Sequence, residues 1–118
     1  MGESGLHIVG LAGSIRHASY NRGLLRAAAR DLPEGVSLQI EELSNIPVYN
    51  MDLEGPGEPP SVQALKAAVG EADALLLAIP EHNYSFSGVM KNAIDWLSRP
   101  FDTSVLLDKP VAIMGASS

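Results

Sequence analysis

The stretch 6–32, LHIVGLAGSIRHASYNRGLLRAAARDL, changes its hydrophobic period once, and that change decides the fold class. Residues 6–12 (LHIVGLA) are a short apolar run ending at a glycine. Its length and its Ile-Val pair suit a buried strand better than a helix. His7, its one polar member, reads as a strand-end or packed histidine. Residues 21–32 (NRGLLRAAARDL) place Leu24, Leu25, Ala28 and Leu32 at helical spacing, with arginines on much of the other face. Ser19 suits the N-cap of that helix, and Pro33-Glu34-Gly35 stops it.

The same alternation continues along the chain. Residues 36–43 (VSLQIEEL) read as a strand, with Val36, Leu38 and Ile40 on one side and Ser37, Gln39 and Glu41 on the other. Residues 44–60 form a long connection rich in Pro, Gly and acids. Its apolar knot, Ile46-Pro47-Val48-Tyr49, is predicted to pack, and its GPGEPP half is not. Residues 61–71 predict a second helix, with Val62, Leu65, Ala68 and Val69 inward. The unbroken run 74–79 (ALLLAI) predicts a central parallel strand covered on both faces. Residues 88–99 predict a third helix with Val89, Met90, Ala93, Ile94 and Leu97 inward, and with Lys91, Asp95 and Arg99 spaced to pair along its outer face. Residues 110–115 predict a fourth strand.

The order β-α-β-α-β-α-β implies one α/β domain, 1–118, built on a parallel sheet with right-handed crossovers. Ligands of such sheets sit beyond the carboxyl ends of the strands, at the topological switch point. The loops after Ala12, Ile79 and Gly115 all belong to that edge.

Composition narrows the function. With 118 residues, 46% hydrophobic and 19% charged, the chain suits one globular core. Its net charge of −6 argues against a nucleic-acid or anionic-membrane surface, but leaves room for a local basic pocket. The lack of cysteine excludes disulfides, thiolate metal sites and a cysteine nucleophile, and fits a cytoplasmic location. No apolar run is long enough to cross a bilayer.

Two loops carry the chemistry. GSIRHASYN (13–21) lacks both the dinucleotide fingerprint Gly-x-Gly-x-x-Gly and the Gly-Lys-Ser/Thr of a P-loop. It offers Ser14, Arg16, Ser19 and Asn21 just ahead of a helix N-terminus. Hydroxyls, a guanidinium, an amide and the helix dipole can converge on one anion, and a phosphate monoester suits that set. A capped helix start with a surface arginine accounts for the spacing equally well. After the central strand, Pro80-Glu81-His82-Asn83-Tyr84-Ser85 crowds a carboxylate, an imidazole, an amide and a phenol at one strand end. A flat heterocycle with several hydrogen-bonding edges would use such a loop. The ordinary pKa of histidine, near neutrality, invites a catalytic role for His82, but flanking or stacking on a ring is favoured. Glu81 is read as part of the pocket frame, and no histidine spacing suggests a metal.

The chain resembles the NAD(P)H-dependent FMN reductases of flavodoxin-like fold, which include quinone, chromate and azo-dye reductases. The likeness rests on GSIRHASYN (13–21), IPVYNMD (46–52), PEHNYSFSG (80–88), KNAIDWLSRP (91–100) and KPVAIMGAS (109–117), in that order. The resemblance implies that Ser14, Arg16, Ser19 and Asn21 hold the FMN phosphate. It implies that Pro80, Glu81, His82, Asn83 and Tyr84 border the isoalloxazine, with Ser85 and Ser117 at its edge. His82 stands where the family often has tyrosine. Lys91, Asn92, Asp95 and Trp96 belong to the family's helix signature and are read as packing and subunit contact. No catalytic side chain is implied, since the flavin carries the redox chemistry. NAD(P)H is the implied hydride donor, and a small quinone, flavin, chromate or azo compound the implied acceptor.

The flavodoxin-like sheet has five strands in the order 2-1-3-4-5, and only four are visible here. The chain is therefore expected to be the N-terminal part of a longer family domain, cut off after the fourth strand. The resemblance also implies a homodimer or homotetramer, with segment 46–52 and helix 88–99 as contact surfaces. Two other classes of function compete. One is an FMN-binding electron carrier or redox-sensing module acting on a protein partner, which the acidic surface would suit. The other is a phosphate binder without flavin.

Overall fold

The computed structural model describes residues 5–12, 20–80 and 88–116. The elements are β1 (Leu6–Ala12), α1 (Tyr20–Arg30), β2 (Val36–Glu41), α2 (Pro60–Glu71), β3 (Ala74–Pro80), α3 (Gly88–Leu97) and β4 (Val111–Ala116). The strands form one parallel sheet in the order β2-β1-β3-β4. This is the order that the resemblance implies for the first four strands.

Each face of the sheet has its own core. Val9 and Leu11 of β1 and Leu75 and Leu77 of β3 meet Leu65 and Val69 of α2 and Met90, Ala93 and Leu97 of α3. On the other face Ala12 and Ala78 meet Leu25 of α1, with Leu38, Ile40, Leu76 and Met114 around them. Helix α1 comes close because Gly10 lies beneath it. A Cβ there would stand 3.0 Å from Leu25 Cδ2 and 3.2 Å from Leu38 Cδ1. The unbroken apolar run of β3 is thus explained by helices on both sides. β2 alternates as its sequence predicts, half-buried at Val36, Leu38 and Ile40 and exposed at Ser37 and Gln39. It is shorter than predicted, however. It ends at Glu41, and Leu43 turns under to join the core on the α2/α3 face.

Side chains finish the helix ends. Lys109 donates from Nζ to the carbonyls of Gly70 (3.3 Å) and Ala72, satisfying the last turn of α2. Ser104 Oγ donates to Leu97 O at 2.7 Å and closes α3. At the amino edge of the sheet, His7 donates its backbone N–H to Asp73 Oδ2 at 2.8 Å, and its Nδ1 lies 2.8 Å from Ser37 Oγ. This is the strand-end histidine that the sequence predicts.

β4 pairs with β3 alone among the described residues. Val111 and Ile113, level with Leu75 and Leu77, are 49% and 63% exposed, because α2 and α3 cover the inner strands and stop short of this one. No described helix is long and apolar enough to cross a membrane.

Candidate functional site

The parallel register brings every carboxyl strand end to one edge. Ala12 of β1 stands level with Ala78 of β3, and Pro80 of β3 with Ala116 of β4. From β1 the chain crosses outward to β2 in one direction and then to β3 in the other. The switch point therefore lies between β1 and β3. The segments that follow these two strands, 13–19 and 81–87, leave from neighbouring positions on that edge.

Two of the sequence-predicted site residues have a described place. Asn21 is the second residue of α1, and Pro80 is the last of β3. Ser14, Arg16, Ser19, Glu81, His82, Asn83, Tyr84, Ser85 and Ser117 lie outside the described residues. The first turn of α1 holds no acidic residue, so its positive dipole end is not neutralised from within the helix.

The connection between β2 and α2 forms a strap along α3, and its anchors are polar. The Asn92 carboxamide accepts the Tyr49 N–H through Oδ1 at 2.7 Å and donates through Nδ2 to Pro47 O at 2.8 Å. Trp96, fully buried one turn later, donates from Nε1 to the same carbonyl at 2.8 Å. The Tyr49 ring meets the indole edge-on, with centroids 5.0 Å apart and planes at 79°. Sequence reading takes Asn92 and Trp96 as packing and subunit contact. The structure adds that both hold a backbone segment 43 or more positions away in sequence. Their spacing was the available signal: 92 and 96 share one helix face, and both carry N–H donors.

The expected charge row on the outer face of α3 is only half present. Lys91 and Asp95 pair at 2.9 Å, but Arg99 turns away. Its guanidinium lies 4.1 Å from the Phe101 ring centroid and 5.6 Å from that of Tyr49, and its Nε is 3.7 Å from Glu54. α3 stops at Leu97, so Arg99 is no longer on a helix face, and two aromatic rings plus a carboxylate outcompete Asp95. The GPGEPP half is likewise tethered, contrary to expectation. It opens with a 3₁₀ turn at Gly55–Gly57, which follows another at Met51–Leu53. Glu58 then pairs with Lys66, which also donates to Arg99 O at 2.9 Å.

The Tyr49 hydroxyl donates to the Glu54 carboxylate. That hydrogen bond, helped by burial, raises the phenol above its ordinary value, against the opposing pull of Arg99. A raised folded-state value means that the contribution is complete below the unfolded value near 10 and is lost as pH rises through the folded one. Tyr49→Phe is therefore expected to flatten the loss of stability above that value. Urea midpoints of both proteins, measured across the alkaline range, test this; parallel curves would contradict it.

Between the strap and the first turns of α3 runs an open groove of about 560 Å³. Leu43, Ile46, Val48 and Val89 supply its apolar lining, and Ser44, Asn92 and the Lys91–Asp95 pair its polar one. Gly88, at one end, directly follows segment 81–87.

Comparison with known proteins agrees with this architecture. A flavoenzyme NAD(P)H:(acceptor) oxidoreductase from Paracoccus denitrificans superposes with a TM-score of 0.85 at 33% identity, over 93% of this chain and 60% of that one. An NAD(P)H-dependent FMN reductase of Pseudomonas aeruginosa is 45% identical over 113 residues, 96% of this chain and 60% of its own length. An NAD(P)H:quinone oxidoreductase of Solanum tuberosum is 45% identical over 115 residues, 94% of this chain and 58% of its own. The chain thus spans about 60% of the length of these relatives. Residues 6–118 match the family described as NADPH-dependent FMN reductase, and with the sheet order and switch-point edge in agreement, the chain belongs to that family.

Proposed function

We propose that this chain is the flavin-binding part of an NAD(P)H-dependent oxidoreductase that passes electrons to a small quinone-type acceptor. One observation carries the reading. The ends of β1 and β3 stand side by side at the switch point, so the two polar loops that follow them start from one place. The names of the relatives, FMN reductase and quinone oxidoreductase, supply the substrate classes. Free flavin, chromate and azo compounds are alternative acceptors within the same reading.

The donor set fits FMN. In sequence, Ser14, Arg16 and Ser19 lie just ahead of α1 and Asn21 within its first turn, so hydroxyls, a guanidinium and an amide adjoin a helix start that holds no competing acid. These four would hold the phosphate. Pro80, Glu81, His82, Asn83, Tyr84, Ser85 and Ser117 would frame the ring, the last two at its edge. When bound, FMN supplies the hydride-accepting centre, and no side chain of the protein needs to react. The work of the chain is to bind, orient and shield. Exposed Val48 and Met51 on the strap offer a surface for a second copy, consistent with a homodimer or homotetramer, and a cytoplasmic location suits a cysteine-free chain.

Arg16→Ala tests the assignment. Losing one charge-assisted contact to a phosphate is expected to weaken FMN binding about tenfold to thirtyfold, since such hydrogen bonds contribute ~1.5–2 kcal/mol. Quenching of flavin fluorescence in a titration measures the affinity, and circular dichroism confirms the fold. Wild-type affinity in the variant would remove Arg16 from the phosphate site.

A further inference from the structure

Charge is sorted along this chain. Residues 13–30 carry Arg16, Arg22, Arg26 and Arg30 and no acid, whereas residues 31–65 carry acids and no base. Most other bases are engaged. Lys66, Lys91 and Arg99 each face a carboxylate, and Lys109 donates to carbonyls. Arg26 and Arg30 are exposed, stand four positions apart on α1, and have no ion pair or side-chain hydrogen bond among the described residues. A solvated helix face ordinarily mixes both signs, but α1 contains no acid at all. Arg30, in the last turn, complements the helix dipole, which accounts for Arg30 and not for Arg26. Helix α1 starts at Tyr20, after β1 has left the carboxyl edge. At about 1.5 Å per residue, Arg26 and Arg30 stand about 9 and 15 Å down the axis from that start.

We infer that Arg26 and Arg30 form a steering surface: their field draws the phosphate dianion of FMN along α1 toward the carboxyl edge, and so sets the rate of flavin uptake without holding the bound cofactor. This rests on the proposed flavin-binding reading. A chain of net charge −6 repels a dianion from most directions, and the acid-free helix is where that repulsion reverses. The two guanidinium groups are too far down the helix to grip a phosphate at its start. They are close enough to act through the field, since the screening length is about 30 Å in 0.01 M salt and about 8 Å at physiological strength.

The test is stopped-flow association of FMN with flavin-free protein, followed by quenching of flavin fluorescence. Three double variants are compared with the wild type: Arg26→Gln with Arg30→Gln, Arg26→Glu with Arg30→Glu, and Arg26→Lys with Arg30→Lys. Coulomb's law for a dianion passing about 15 Å from both groups, screened at about 10 mM ionic strength, sets the expected size. The association rate falls about threefold for the glutamine pair and about tenfold for the glutamate pair, and the lysine pair matches the wild type. Dissociation rates stay within about twofold, and at about 1 M salt all four proteins associate alike. Riboflavin, which lacks the phosphate, binds at the same rate to all of them. An unchanged association rate at low salt overturns the inference. So does a slow lysine pair, since charge is then not the cause. A loss that falls on dissociation overturns it because the arginines then hold the ligand, and equal slowing of riboflavin overturns it because the change is then structural. A wild-type protein that takes up no FMN overturns the inference together with the reading beneath it.

Discussion

Trp96→Ala lowers the unfolding free energy by about 4–5 kcal/mol, a large share of the ~5–15 kcal/mol that a domain of this size holds. The indole is wholly buried at the end of α3, and its removal opens a cavity there. The same change deletes a donor to Pro47 O and the edge-on partner of Tyr49. Trp96→Phe separates the terms. It keeps an aromatic ring, and Pro47 O retains the Asn92 donor, so no carbonyl is orphaned. About 1–2 kcal/mol is expected for that variant. Urea titrations followed by far-ultraviolet circular dichroism give both values. A loss below about 2 kcal/mol for the alanine variant would mean that the strap refills the space, contrary to the packing described.

Lys66→Met costs about 3 kcal/mol. Lys66 and Glu58 keep only 16% and 12% side-chain exposure, so the pair is largely withdrawn from water. Methionine fills the stem's volume but abandons a carboxylate and the carbonyl of Arg99 together. The cost lies at the low end for buried pairs because some solvent still reaches both groups. Glu58→Gln added to Lys66→Met removes the stranded charge and is expected to recover about half of the loss. Thermal unfolding of the two single variants and the double variant closes the cycle. Additive losses would show that the two side chains do not act as a pair.

The elements were legible because their burial follows one period each. β3 reads as central since Leu75 and Leu77 face one core while Ala78 and Leu76 face the other. Helix α2 reads correctly because Val62, Leu65 and Val69 lie on one stripe. β2 was overextended: Leu43 is apolar but out of phase with Val36, Leu38 and Ile40, and its side chain belongs to the core on the opposite face. Arg99 was misplaced because spacing alone favours Asp95, whereas the end of α3 at Leu97 frees it to reach Glu54 and Phe101. The tethering of the GPGEPP half was invisible because Glu58 and Lys66 are eight positions apart and no helical rule joins them. Of the candidate site, the sequence supplied the chemistry of the two loops and the structure supplied their common origin at Ala12 and Ala78. The strap clamp was the part least visible, since a carboxamide that bonds to distant backbone leaves no periodic trace.

Along β4 one line of backbone groups has no strand beside it among the described residues, and Val111 and Ile113 flank it. Parallel or antiparallel, any extended peptide can zip onto such a rim. In the strand order 2-1-3-4-5 that rim is the seat of a fifth strand, and Val111 and Ile113 mark the face that its neighbours would cover.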